Sequence, residues 1–393
     1  MPRRSSEAPA VRRLRAIGAA VIAEPVLDLG RTPPSASADH RKLQLPIVDM
    51  RSPLAAAQLN DACTRVGFQC VVGHGIDREA ADAARACEEF IAGAQTGSFC
   101  AVRKPTLGYG TGLQAKGHLD SESYSTEHGE YGVDGREDFV VMHPEAAARK
   151  AAGDPYYTAP HARIWFGDCA NRFPTNDGGR MRRALERHYL ELEALSQRLL
   201  SLCGEVLAGD GQHFAEVTSK HTTNLVIAFH EDRTPDPDTP SVSAHSDSAL
   251  FTLIYYGSHG AEGLEVQDQA TGNWHRVASE DIPPGALVFN IGDGMRRLSN
   301  NRFLSTPHRV IDTAPVPGTQ QDERGRLAMC YFFAPNYDVP LVPVGTDGNG
   351  APESLLGGLT THGYHVAPAA ERAEFDRWCL SRSINARTPY HIS

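Results

Sequence analysis

Two histidines and one aspartate have the residue types and the spacing of a metal-binding set. A single serine separates His245 from Asp247, and His308 follows much later in the chain. Side chains of an extended strand repeat every second residue, so His245 and Asp247 project from the same face. Two imidazoles and one carboxylate form the facial triad that binds non-haem Fe(II) and leaves three coordination positions open. The pattern therefore predicts that these three side chains bind one iron ion.

Short strands surround both parts of this pattern. After Gly211 the apolar runs are brief and are separated by turn residues, which is typical of a sandwich or barrel. Folded as a jelly roll, such strands would return His308 to the same end of the barrel as His245 and Asp247. We predict strands at residues 225–229, 250–256, 263–267, 274–277, 286–291, 308–311 and 327–333.

The first half of the chain has a mixed pattern. Residues 93–179 are dense in Gly, Pro, Asp and Ser, and an irregular segment of this length is usually functional or disordered. The predicted fold class is mixed α+β, with a jelly-roll core that is backed by N-terminal helices. Apolar periodicity predicts strands at 45–49 and 67–72 and helices at 54–65, 78–91 and 180–207.

These patterns divide the chain into four parts. Loops at the mouth of a barrel shape its pocket, so we expect substrate contacts from residues 93–179 and from the stretch after Asn336. Candidates for such contacts are Arg103, Tyr109 and Arg163. The four parts are a flexible tail (1–42), a helical and mixed region that packs on the core (43–210), the β core (211–340) and a C-terminal extension near the site (341–393).

Composition and charge favour a small-molecule partner. The 393 residues are 41% hydrophobic and 22% charged, and the formal net charge is −10 at pH 7. Nucleic acids and anionic membranes reward a basic surface, so neither is expected as the main partner. No stretch approaches the ~18 consecutive apolar residues of a membrane span. The oligomeric state is left open by these observations.

The cysteines and the N-terminus favour a cytoplasmic location. The eight cysteines include no C-x-x-C pair, and in a long chain without a secretory signal we expect reduced thiols. The Arg-rich start is followed by a short apolar run that Glu24 and Pro25 interrupt, with no clear cleavage site after it.

An ordered series of motifs spans residues 224–335, and each of them is weak alone. They are His245-Ser246-Asp247, Gly263-Leu264-Glu265-Val266, Gly272-Asn273-Trp274, Pro284-Gly285-Ala286, Asn290-Ile291-Gly292-Asp293, Ser305-Thr306-Pro307-His308-Arg309-Val310 and Arg326. Fainter motifs of the first half are Pro46-Ile47-Val48-Asp49, Gly67-Phe68 and Gly73-His74-Gly75-Ile76. In this order, the motifs resemble the Fe(II)- and 2-oxoglutarate-dependent oxygenases of the isopenicillin N synthase-like group over most of residues 45–335.

This resemblance implies a double-stranded β-helix core and an Fe(II)- and 2-oxoglutarate-dependent dioxygenase that uses O2. It implies that Arg326 binds the distal carboxylate of 2-oxoglutarate, a role that suits a planar guanidinium. No catalytic side chain is expected beyond the metal ligands, and the retained Asp247 leaves no place for a halide, which disfavours halogenation. The family's range suggests an amino-acid-derived or specialised small metabolite that is hydroxylated, desaturated or cyclised.

Two departures from the family pattern concern the co-substrate. A serine usually stands two residues after the arginine, where this chain has Ala328, and a tyrosine of the earlier strand is matched by Phe229. Each change removes a hydroxyl contact, a loss of about 0.5–1.5 kcal/mol. The departures leave open an iron oxidase of the same fold that uses no 2-oxoglutarate. A non-catalytic jelly-roll binding protein is the alternative from another class.

Other polar residues near these motifs are expected to have structural roles. His74 lies in a turn signature, and Arg309 directly follows a metal ligand. Asn290 and Asp293 are expected to organise the approach to the strand of His308. No P-loop, Rossmann glycine pattern, Ser-His-Asp grouping or zinc C-x-x-C is visible in the sequence.

Overall fold

Two β-sheets face each other across an apolar core, and helices cover the outer face of the larger sheet. The computed structural model describes residues 42–94, 112–114, 136–159, 162, 166, 169–173, 177–230, 242–247, 249–257, 260–311, 326–337, 339 and 341–346. The strands are β1 (Lys42–Leu43), β2 (Ile47–Asp49), β3 (Phe68–Val72), β4 (Gly112–Gln114), β5 (Arg136–Met142), β6 (Asn224–His230), β7 (Val242–His245), β8 (Phe251–Tyr256), β9 (Leu264–Gln267), β10 (Trp274–Val277), β11 (Leu287–Ile291), β12 (His308–Val310) and β13 (Arg326–Phe333). The helices are α1 (Ala55–Arg65), α2 (Asp77–Ala94), α3 (Ala146–Ala151), α4 (Pro155–Thr158), α5 (Arg180–Ala208) and α6 (Asp293–Leu298).

The strands from β7 to β13 are divided between the two sheets, and only β9 and β10 are consecutive strands of the same sheet. The smaller sheet has five strands in the order β1-β10-β9-β12-β7, and the larger has eight in the order β2-β3-β11-β8-β13-β6-β5-β4. The chain therefore crosses from one sheet to the other several times, as in a jelly roll. Strands from the first half of the chain extend the larger sheet at both edges, β2 and β3 beside β11 and β4 and β5 beside β6.

Side-chain alternation gives the larger sheet two different faces. On β13, Leu327 and Met329 belong to the apolar cluster under the helices, whereas Ala328 belongs to the core between the sheets. On β8, Leu253 and Ile254 divide in the same way. We refer to these surfaces as the helix face and the cavity face.

Helix α5 lies against the helix face. It begins beside Asp177, whose carboxylate accepts hydrogen bonds from the main-chain N–H groups of Gly179 and Met181, both at 2.8 Å. It ends at Gly209, whose φ of 72° is a left-handed conformation that glycine adopts without strain. Each buried leucine contributes roughly 1.5–3 kcal/mol, so the apolar stripe fastens the helix to the sheet. Its buried side chains at helical spacing include Leu185, Tyr189, Leu192, Leu195 and Leu199.

The predicted elements agree with the structure where periodic apolar patterns are long. The helices predicted at 54–65, 78–91 and 180–207 correspond to α1, α2 and α5, and the strands predicted after residue 211 correspond to β6 and to β8 through β13. The mixed α+β class with a jelly-roll core is confirmed.

The segment 93–179 is less irregular than its composition predicts. Its described residues include β4, β5, α3 and α4. Strand β5 begins with the charged run Arg136-Glu137-Asp138, which hides it from an apolar pattern, and its partner β6 lies far away in the sequence. Long-range pairing thus makes a strand that local sequence does not indicate.

Several expectations fall partly or wholly outside the described residues. These are the N-terminal tail before Lys42, the extension beyond residue 346, and the candidates Arg103, Tyr109 and Arg163. Six of the cysteines lie in the described part, and none of these six forms a disulfide bond. None of the described helices combines the length and the apolarity that crossing a bilayer requires.

Candidate metal centre

His245 and His308 face each other across two antiparallel strands of the smaller sheet. They are paired residues of β7 and β12, and the centres of their rings are 4.3 Å apart. The ring of Phe68, on β3 of the larger sheet, packs edge-on against His308 at 5.1 Å between centres. The smaller sheet therefore positions both imidazoles, and the larger sheet supports that of His308.

The sequence pattern predicts that Asp247 lies in the same strand as His245. In the structure, Asp247 lies two residues beyond the end of β7. Its Oδ1 atom is 3.5 Å from His245 Nε2 and 3.8 Å from His308 Nε2. One ligand atom from each of the three residues lies within 4.8 Å of the others. The structure thus brings together all three residues that the sequence singled out.

The second carboxylate oxygen of Asp247 is held by the larger sheet. The Thr252 hydroxyl on β8 donates a hydrogen bond to Oδ2 at 2.5 Å, and Asn290 Nδ2 on β11 donates to the same atom at 2.7 Å. Thr252 and Asn290 are themselves paired residues of adjacent strands. Because Oδ2 has these two donors, Oδ1 is the oxygen that remains for a metal.

The backbone of Asp247 is fixed by the turn after β11. The Asp293 N–H donates to the Asp247 carbonyl at 2.6 Å, and the Ser246 hydroxyl donates to the Asp293 carboxylate at 3.0 Å. A Cβ on Gly292 would lie 2.2 Å from the carbonyl oxygen of Ala249, so glycine is required for this close approach. Asn290 and Asp293 therefore hold the segment of Asp247, and Asp293 also interacts with Ser305 on the approach to the strand of His308.

Protonation favours metal binding at neutral pH. The His308 Nδ1 atom lies 3.2 Å from the carbonyl oxygen of Thr306, which can only accept, so Nδ1 carries the proton and Nε2 has a free lone pair. Burial, with His245 as the next cause, lowers the pKa of His308 to about 4. Burial alone would raise the pKa of Asp247, but His308, His245 and Thr252 together hold it well below its usual range.

This donor set fits Fe(II). Two imidazole nitrogens and one carboxylate oxygen on one side of an ion are the ligands of non-haem iron oxygenases, and they leave positions open on the other side. The backbone acceptor at Thr306 orients the His308 ring, as is usual for a metal-binding histidine. The residues present could therefore hold the ion without rearrangement of their hydrogen bonds.

A cavity that is open to solvent lies beside the three residues and contains Arg326 in its wall. Arg326 begins β13, and Phe332, near the end of that strand, pairs with Thr252. Arg326 and Asp247 therefore mark opposite ends of the cavity. Between them the wall consists mainly of apolar side chains, among them Ala228, Val242, Ile254, Tyr256, Leu264, Val310, Ala328 and Cys330.

Gly263 makes room for the Arg326 side chain. Arg326 Nη1 donates a hydrogen bond to the carbonyl oxygen of Glu262. A Cβ on Gly263 would lie 2.1 Å from the carbonyl oxygen of Ile311 and 3.1 Å from Arg326 Nη1, and the φ of Gly263 is 85°. Both the space and the backbone conformation at this position require glycine.

Only one of the two departures from the family pattern lies in the cavity. Ala328 lines it and is paired with Ala228 on β6. Phe229, the next residue of β6, projects from the opposite face of that strand. The hydroxyl absent at Phe229 is therefore no loss to the cavity, whereas the one absent at Ala328 is.

His74 and Arg309 have the structural roles that were expected. His74 accepts a hydrogen bond from the Ile76 N–H at 3.2 Å and donates one to the Gly285 carbonyl at 2.9 Å. Arg309 projects away from the metal site, contacts Glu265 with 2.7 Å between Nη2 and Oε2, and lies over the ring of Trp274.

Sequence reasoning missed that Thr252 would hold Asp247, that Tyr256 would line the cavity and that Gly263 would make room for Arg326. Thr252 and Tyr256 stand at alternate positions of a strand that was predicted, so the signal for a shared face was present. Which face of that strand meets the metal site depends on the packing of the two sheets. The local pattern does not contain that information.

Comparisons with known proteins agree with this geometry. The family model of the 2OG-Fe(II) oxygenase superfamily matches residues 222–335. The chain is 24% identical over 315 residues to gibberellin 20 oxidase 1-D of Triticum aestivum, covering 78% of this chain and 76% of that protein. It is 28% identical over 313 residues to the 2-oxoglutarate-dependent dioxygenase citB of Monascus ruber, covering 75% and 84%. The crystal structure of JOX2 in complex with 2OG, Fe and JA has a TM-score of 0.59 at 20% identity, covering 86% and 91%.

The family match covers both parts of the triad and Arg326. The relatives favour a 2-oxoglutarate-dependent enzyme over the 2-oxoglutarate-independent oxidase and over the non-catalytic binding protein. Its cofactor is Fe(II), its co-substrates are 2-oxoglutarate and O2, and it acts on a small molecule. This chain belongs to the 2OG-Fe(II) oxygenase superfamily and is an Fe(II)- and 2-oxoglutarate-dependent dioxygenase.

Proposed function

We propose that His245 Nε2, Asp247 Oδ1 and His308 Nε2 bind the iron, and that Arg326 binds the distal carboxylate of 2-oxoglutarate. One observation carries the proposal: the three ligand atoms converge at one end of a cavity whose other end contains a buried arginine. When bound, Fe(II) supplies the O2 activation that couples decarboxylation of 2-oxoglutarate, to succinate and CO2, to oxidation of the substrate.

The side chains around the iron have separate tasks. Thr252 and Asn290 keep Asp247 Oδ2 engaged, so the carboxylate presents a single oxygen and the remaining positions stay available. Arg326 offers a planar pair of donors that matches a carboxylate. The apolar wall between the two ends limits the access of water to the reacting atoms.

The substrate in this proposal is a specialised or amino-acid-derived small metabolite that is hydroxylated, desaturated or cyclised. Support comes from the net charge of −10, which disfavours nucleic acids and anionic membranes. Further support comes from relatives whose names refer to gibberellin and from a neighbour solved with JA. Substrate contacts are assigned to residues 93–179 and to the stretch after Asn336. The cytoplasmic location and the four-part division of the chain belong to the same proposal.

Anaerobic titration tests the site directly. Fe(II) should bind at one ion per chain, and added 2-oxoglutarate should then produce a weak visible charge-transfer band. His308→Ala should lose the metal, whereas Arg326→Lys should keep the metal and bind 2-oxoglutarate more weakly because the forked donor pair is lost. A screen of small metabolites for O2 uptake and succinate release then identifies the substrate.

A matched control uses a histidine outside the proposed metal set. His221 is buried, and its Nε2 lies 2.8 Å from the Glu193 carboxylate. His221→Ala should keep its iron. Metal binding that survives His308→Ala, or that is lost equally in both variants, would contradict the assignment of the ligands.

A further inference from the structure

Among the described residues that line the cavity, few besides Arg326 can donate a hydrogen bond to the distal end of 2-oxoglutarate. Ala328 and Ala228 form a paired row across β13 and β6 in the cavity wall. A carboxylate has about four lone-pair directions, and a guanidinium occupies two of them. A second donor near Arg326 would complete the recognition of this group.

Tyr256 stands where such a donor is needed. It is the last residue of β8, lines the cavity, and is the cross-strand partner of Ala328. The row across the three strands therefore reads Tyr256, Ala328, Ala228. Two alanines beside the tyrosine leave space that its ring can occupy, because cross-strand neighbours have Cβ atoms only about 5 Å apart.

The Tyr256 phenol lies within electrostatic reach of the charged groups at both ends of the cavity. The charges of both Arg326 and Asp247 act on it, Arg326 lowering and Asp247 raising its pKa. Burial is the largest influence and raises the pKa of Tyr256 well above its usual value. The hydroxyl is therefore protonated at physiological pH and is available to donate a hydrogen bond.

We propose that the Tyr256 hydroxyl binds the distal carboxylate of 2-oxoglutarate beside Arg326, and so replaces the hydroxyl that Ala328 lacks. Tyr256 is then a specificity-determining residue that selects a 2-oxo acid with a second carboxylate. This inference rests on the proposed function, because it assumes that 2-oxoglutarate spans the cavity from the iron to Arg326.

The test compares two co-substrates on the Fe(II)-loaded protein without O2. Tyr256→Phe removes one oxygen and keeps the ring. Its Kd for 2-oxoglutarate, from the charge-transfer band, should rise about tenfold, as for a lost hydrogen bond to a charged group. Its Kd for 2-oxobutyrate, which has no distal carboxylate, should be unchanged. The Kd for Fe(II) should be unchanged as well.

Tyr255→Phe is the matched control. Tyr255 precedes Tyr256 on β8 and packs against the cluster of the helix face, so the loss of its hydroxyl should change neither Kd. The inference is overturned if Tyr256→Phe binds 2-oxoglutarate as tightly as the wild type, or if it weakens both 2-oxo acids equally. If the wild-type protein binds Fe(II) but no 2-oxoglutarate, the proposed function fails, and this inference fails with it.

Discussion

The two faces of the larger sheet bury different kinds of groups. On the cavity face, polar groups satisfy one another: Asp247 receives hydrogen bonds from Thr252 and Asn290 and faces two imidazoles. On the helix face, a large apolar cluster packs under α1, α2 and α5. The ring nitrogens of His188, buried in that layer, have no hydrogen-bond partner among the described residues.

Because of this difference, the helix face mainly determines the stability of the fold and the cavity face mainly determines ligand binding. Apolar burial on the helix face lowers the free energy of the fold without requiring a particular chemistry. The buried carboxylate of Asp247 on the cavity face is tolerated because it has hydrogen-bond and charge partners, and this geometry is what a ligand recognises. Substitutions on the helix face should therefore change the free energy of unfolding, and substitutions on the cavity face should change ligand affinities.

The largest effect is expected on the helix face. Leu192→Ala removes a side chain that is 1% exposed, and should lower the free energy of unfolding by about 2–5 kcal/mol in urea denaturation. The folded variant should bind Fe(II) and 2-oxoglutarate as the wild type does. Leu190, on the same helix but 46% exposed, is the control, and Leu190→Ala should change little. A weaker ligand affinity in folded Leu192→Ala would show that the two faces are coupled.

On the cavity face, Thr252→Val keeps the shape of the side chain and removes the donor to Asp247 Oδ2. Metal affinity should fall about 10–100-fold, as is usual when a residue that orients a metal ligand is lost. Thr252→Ser retains the hydroxyl and should retain most of the affinity. Equal Fe(II) affinities of the valine and serine variants in anaerobic titration would refute the role of this hydrogen bond.

Two glycines with similar backbone conformations, one beside Arg326 and one in open space, separate an effect on stability from an effect on ligand binding. Gly263 and Gly272 have φ of 85° and 74°, so alanine should cost roughly 1–3 kcal/mol of stability at either position. Only at Gly263 would the new Cβ meet Ile311 and Arg326, since nothing lies within 4 Å at Gly272. Gly263→Ala alone should raise the KM for 2-oxoglutarate. The same KM in both variants would mean that Arg326 is not positioned by this contact.

The pH dependence of stability should report on His188. Burial, followed by the neighbouring His74, lowers the pKa of His188 to about 3, against 6.5 for an ordinary histidine. Below pH 6.5 the unfolded chain therefore binds a proton that the folded chain does not. The free energy of unfolding should fall from pH 6.5 toward pH 3, by up to about 1.4 kcal/mol per pH unit.

In the variant His188→Leu, the free energy of unfolding should fall less as the pH is lowered below 6.5. Urea denaturation of the metal-free protein at pH 7.5 and at pH 5 gives the comparison, because metal loss at low pH is then excluded. A difference in stability between variant and wild type that is the same at both pH values would show that His188 does not titrate on unfolding.

The spacing of apolar residues was sufficient to predict the helices and strands whose buried side chains recur at regular intervals. The leucine stripe of α5 repeats at helical spacing, and the seven strands predicted after residue 211 are short apolar runs between turns. The spacing of apolar residues did not predict β5, which starts with three charged residues. This strand is paired with β6, which lies far away in the sequence. The short helix α6 also lacks a periodic pattern, since it spans only Asp293–Leu298.

The candidate metal site also has features that the sequence indicated and features that it did not. The residue types and spacing of His245, Asp247 and His308 identified the donors, because few other roles combine two imidazoles and a carboxylate in this way. The sequence did not indicate that Thr252 and Asn290 would occupy Asp247 Oδ2, or that Gly263 would admit Arg326.

By itself, then, the amino-acid sequence determined the chemistry of the donors, the resemblance to a family, and the period of the main helices and strands. The tertiary structure decided which oxygen of Asp247 faces the imidazoles, which face of each strand lines the cavity, and that Phe229 lies away from it. The physical reason is that donor chemistry and periodicity are properties of a residue and its neighbours in the chain. Orientation inside a closed site depends instead on contacts between strands that are distant in sequence.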